Sequence, residues 1–85
     1  MSKSNIKSEN ASIIDFNLNA IAKLAKQAET ASQVERLYKK LFTQTKWIEE
    51  MDLYKKDVKR LMKRVEMGRK FLSLSLNESM GDLLN

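Results

Sequence analysis

A chain of 85 residues with 16 Lys and Arg against 11 Asp and Glu, and a formal net charge of +5, has room for one domain whose core is marginal on its own. It contains no Cys, no His, no Pro and only two Gly, which excludes disulfides, thiolate or imidazole zinc sites and histidine general bases, and removes the usual punctuation of loops. Helix is the default expectation; no signal peptide or apolar window of membrane-span length is present, which places the protein in the cytoplasm.

In chain order, residues 1–11 carry Lys3, Lys7 and Glu9 among Ser and Asn and read as a mobile N-terminal tail. A helical domain is expected over residues 12–76. Ser12, three residues before Asp15, resembles an N-terminal cap, and the first helix follows over about 13–29. Its apolar residues Ile14, Leu18, Ile21, Ala25 and Ala28 step by four and three along one face, with Phe16 and Leu24 beside it. The competing reading takes Ile14, Phe16 and Leu18 as a short strand.

A turn is expected at Glu29-Thr-Ala-Ser32, because Ser32-Gln-Val-Glu35 has the form of a capping box. Beyond it, residues 33–67 are free of Gly and Pro, so the spacing predicts one long second helix over about 33–73. Thr43, Thr45 and the stretch Glu50-Met-Asp52 are the places where it could bend or divide, since Thr and Asp compete with the backbone for hydrogen bonds.

With Val34 as heptad position a, the a series runs Val34, Leu41, Ile48, Lys55, Met62, Arg69 and Leu76, and the d series runs Leu37, Gln44, Met51, Val58, Val65 and Leu72. All are apolar except Lys55, Arg69 and Gln44, and Trp47, Tyr54 and Leu61 add a g series that widens the stripe. The expected fold is therefore all-α: a short helix, a turn and a long heptad-patterned helix, forming a helical hairpin or a coiled-coil or bundle oligomer. A first helix of four to five turns cannot cover a second of about 40 residues and ~60 Å, which motivates a homo-oligomer. After Gly68 the apolar spacing changes and the helix is expected to fray, leaving residues 77–85 as a C-terminal tail or a short docking helix.

Charge is distributed unevenly. Between Lys55 and Lys70 the basic residues outnumber Asp57 and Glu66 by more than the net charge of the whole chain. On a helical projection Lys55, Lys56, Lys59, Arg60, Lys63 and Lys70 fall opposite Val58, Leu61, Met62, Val65 and Leu72. With Arg64, these basic residues are the candidate nucleic-acid contacts, because a cationic helix face neutralises phosphates. The same face suits an acidic or helical protein partner, or merely keeps the outside of a bundle solvated. Membrane binding fits less well, since the apolar side is already claimed by helix contacts.

Trp47, Met51 and Tyr54 form the candidate partner interface of the alternative reading, a protein-only adaptor, chaperone or assembly scaffold that works through its apolar stripe. No catalytic set assembles. Glu49, Glu50 and Asp52 point in different directions around a helix, no Gly-rich phosphate loop exists, and Ser or Thr nucleophiles lack a histidine base. The expectation is a non-enzymatic binding protein without metal or cofactor. Short helix, turn and long helix is a form common to phage and plasmid regulators, secretion chaperones, scaffolds and inhibitors, and form alone does not choose between them.

Overall fold

A computed structural model describes the backbone of residues 5–84 and the side chains of residues 5–75. The chain forms three helices: α1 (Ile6–Gln27), α2 (Ala31–Glu50) and α3 (Lys55–Leu84).

α1 starts well before the expected Ser12. Asn5 is its N-cap, with Oδ1 accepting a hydrogen bond from the Ser8 amide at 3.3 Å, and Glu9 lies in the first turn, where the helix dipole favours an acid. The first four residues of the expected tail lie outside the described residues; the rest of that tail is helix, a correction with a tertiary cause. These turns rest on the connection between α2 and α3. Asn5 Nδ2 donates to the Tyr54 hydroxyl at 2.7 Å, Asn10 Nδ2 donates to the Asp52 carbonyl at 3.0 Å, and the Lys7 ammonium lies 5.1 Å from the Tyr54 ring centroid. Lone polar residues that look like tail in sequence are thus ordered by partners more than 40 positions away.

The turn between α1 and α2 falls where expected, but its cap differs. Thr30, not Ser32, is the N-cap: Thr30 Oγ1 accepts from the Gln33 amide at 3.2 Å, while Gln33 Oε1 accepts from the Thr30 amide at 3.1 Å and from the Glu29 amide at 2.6 Å. One glutamine satisfies two amides that the helix cannot serve.

The long second helix is not continuous. It passes Thr43 and Thr45 intact because their hydroxyls donate to the carbonyls of Lys39 and Leu41, both at 3.1 Å, so neither competes for the backbone amides. It stops at Met51, which is extended with φ −78° and ψ 151°. Met51 and Leu53 pack against the core from the connection, and the Tyr54 carbonyl opens α3 by accepting from the amides of Asp57 and Val58, both at 3.0 Å. α3 then runs back beside α2. Gly68 does not end it: the helix continues to Leu84, past the expected limit near residue 73.

Helix directions follow from the cross-links. Asn10 reaches Asp52 and Asn17 reaches Gln44, so α1 and α2 are antiparallel. Tyr38 donates to the Arg69 carbonyl, and Leu41 lies against Gly68, so α2 and α3 are antiparallel as well. The three form an up-down-up bundle. Its core comprises Ala11, Ile14, Leu18, Ile21 and Ala25 from α1, Val34, Leu37, Leu41 and Ile48 from α2, and Leu61, Val65 and Leu72 from α3. Gln44 is the one buried polar residue among those described, and its Oε1 accepts from Asn17 Nδ2 at 3.2 Å.

α1 and α3 both lie on α2, so the apolar stripe that seemed to call for a second chain is covered from within. The argument for self-association from an uncovered long helix therefore no longer applies. Among the described residues, no helix is long and apolar enough to cross a membrane.

Candidate functional site

The seven basic residues singled out on α3 divide into two groups. Leu61, Val65 and Leu72 point into the core, and the residues on either side of that line meet different neighbours. Arg60 and Arg64 turn toward α1 and converge on Asp15. Arg60 donates through both terminal nitrogens to the two Asp15 carboxylate oxygens at 2.8 and 3.0 Å, and Arg64 donates to Oδ1 at 2.8 Å. Arg64 also donates to Asn19 Oδ1 at 2.6 Å, and Arg60 to Asp57 at 3.2 Å. The Arg60 guanidinium beside Asp15, helped by Arg64, holds the Asp15 carboxyl below the usual aspartate range, against a smaller opposing effect of burial. These two arginines are committed to holding α3 against α1.

The other five, Lys55, Lys56, Lys59, Lys63 and Lys70, are exposed, and none makes an ion pair among the described residues. Lys56, Lys63 and Lys70 follow one another at seven-residue intervals along the outer side of α3, each about 10 Å beyond the last. Lys59 and Lys63, with Arg69, border a shallow depression between α2 and α3 that Met62, Val65 and Thr45 also line, and Glu66 is the acid there. Arg69 was placed on the apolar seam by the heptad series; the structure sets it, exposed, beside these lysines.

Of the candidate interface residues, Trp47 and Tyr54 each keep 37% of their surface exposed, and Met51 is half-buried against the core. Tyr54 is tied by its hydroxyl to Asn5, and the ammonium groups of Lys7 and Lys56 lie 5.1 and 5.9 Å from its ring centroid. Among the described residues no three carboxylates gather as a metal site would require.

The residues that sequence reasoning missed are Asp15 and Asn19. Asp15 was read as part of a cap, yet it is the one acid on α1 between Glu9 and the turn, and two arginines one helical turn apart on α3 are the complementary signal.

Comparison with protein-family models, with curated proteins and with solved structures found no match for this chain.

Proposed function

We propose that this protein is a small non-enzymatic binding protein that engages nucleic acid, or a complex that handles it, through the outer lysine face of α3. The observation that carries this reading is the set of five exposed lysines, Lys55, Lys56, Lys59, Lys63 and Lys70, that have no acidic partner among the described residues while Arg60 and Arg64 do. A solvated surface of a bundle ordinarily interleaves both signs of charge; a one-sided cationic stripe on a rigid helix gathers phosphates and steers polyanions toward it. Because lysines contact phosphate and not base edges, the recognition expected is of backbone and shape, with little sequence preference.

The test is titration of duplex DNA, single strands and structured RNA at two salt concentrations. Engagement of three to five phosphates predicts a plot of log affinity against log salt with a slope of about −2.7 to −4.5 on duplex DNA. Changing Lys56, Lys59 and Lys63 together to Glu should abolish binding while helicity is retained, because none of these side chains makes an ion pair or hydrogen bond among the described residues. Arg60 is left out of that variant, since its reversal would confront Asp15 with a second acid. Salt-independent binding, or full binding by the folded triple variant, would overturn the proposal.

A further inference from the structure

α1 and α3 do not close on each other along their whole length. Beyond the Asp15 cluster a groove of about 250 Å³ opens between them, its lining almost wholly apolar. Small residues line it, Ala22 and Ala25 on α1 and Gly68 on α3, above the buried side chains of Leu41 and Leu72. Met67 and Phe71 stand at its edge, 68% and 44% exposed.

We infer that this groove seats an amphipathic helix of an acidic partner protein. Shape narrows the choice first. A volume of about 250 Å³ falls below the ~300–1,000 Å³ of sites that enclose a small molecule, but it admits one or two apolar side chains. A slot between two parallel helices suits the anchors of a third helix, spaced three and four residues apart. Charge narrows it further. Lys26 and Arg64 line the groove. On a helical projection Lys23 lies outward of Lys26, and Lys63 and Lys70 lie outward of Met67, so both rims are cationic. No acid occurs between Phe16 and Gln27 or between Met67 and Leu76, and Asp15 already serves two arginines. A second copy packed groove to groove would bring like charge against these rims. A nucleic acid would satisfy the lysines but leave the apolar slot unfilled. An acidic helix with bulky apolar anchors satisfies both, and complementary rims favour its encounter over that of neutral competitors.

The full chain, isotope-labelled, should be titrated with a peptide of about four helical turns that carries Leu at positions i, i+4, i+7 and i+11 and Glu on its flanks, and with the same peptide bearing Lys in place of Glu. The Glu peptide should shift the backbone amides of Ala22, Ala25, Gly68 and Phe71, and the Lys peptide should not. Lys26→Glu, on an exposed side chain, should weaken binding by ~10-fold. Ala22→Phe should abolish it by filling the slot, with the unfolding midpoint of the variant measured alongside. Equal binding of both peptides, or shifts confined to the outer lysine face of α3, would overturn the proposal. So would movement of the same amides on concentrating the protein alone, which would make the occupant a second copy, or movement of the α1 amides of Ala22 and Ala25 on adding a DNA duplex.

Discussion

Two hydroxyl residues compete to start α2, and the residue three positions later decides between them. Thr30 is followed by Gln33 and Ser32 by Glu35, and each pair has the form of a capping box. Gln33 prevails because its Oε1 reaches the amides of both Glu29 and Thr30, and because starting at Thr30 adds Ala31, the best helix former, to the first turn. Thr30→Ala should therefore cost about 1 kcal/mol of stability through loss of the cap. Ser32→Ala, inside the first turn and exposed, should change it by less than about 0.5 kcal/mol. Urea unfolding of the two variants separates these outcomes, and equal losses would mean that the cap is shared.

At the scale of elements, the connection Met51–Tyr54 sets the fold, and it was legible only as one of several weak points. It carries no Gly or Pro. What makes it a turn is burial of Met51 and Leu53 together with the hydrogen bonds from Asn5 and Asn10, all of which depend on α1 being in place. The helical face of α1 and the buried positions Val34, Leu37, Leu41, Gln44 and Ile48 of α2 could be read directly, because three-and-four spacing within one helix is a local property. Counting the same sevens through the connection holds only in part. In α3 the d positions Val65 and Leu72 are buried and Val58 packs against the core, but Lys55 and Arg69 of the a series are exposed and Leu61 of the g series is buried. Gly68 packs against Leu41 of α2, and an added Cβ would lie 3.3 Å from Leu41 Cδ1. Gly68→Ala sets a gain in helix propensity against that tight contact and should be nearly neutral. Gly68→Val adds two further methyl groups beside that tight contact with Leu41 and should cost about 1–3 kcal/mol by overpacking, read as a fall in the thermal midpoint.

In the whole molecule the Asp15 cluster adds to the apolar core a polar link that ties the arginine side of α3 to α1. Bidentate contact with Arg60 and a single contact with Arg64 make α3 settle with its arginines toward α1, and that leaves the lysines outward. Fold and candidate surface are therefore linked through one carboxylate that sequence reasoning could place only as a cap, since the pairing spans 45 positions and more. The link has a pH signature. The folded-state pKa of Asp15 is depressed, chiefly by Arg60, so its contribution to stability is fully present above the unfolded aspartate value of about 3.9 and is lost as pH falls through the lower folded value. Arg60 and Asp15 keep 46% and 29% of their side-chain surface exposed, so solvent screening limits the contribution to about 1 kcal/mol, well short of a buried pair. Acid also raises the net positive charge of the whole chain, which destabilises any compact cationic protein, but that effect is common to all variants. Comparing the parent with Asp15→Asn isolates the cluster: the parent should be the more stable above about pH 5, and the difference should shrink as pH falls below the unfolded aspartate value of about 3.9. Urea midpoints for the two proteins across that range provide the measurement, and parallel curves would show that Asp15 does not hold α3 against α1.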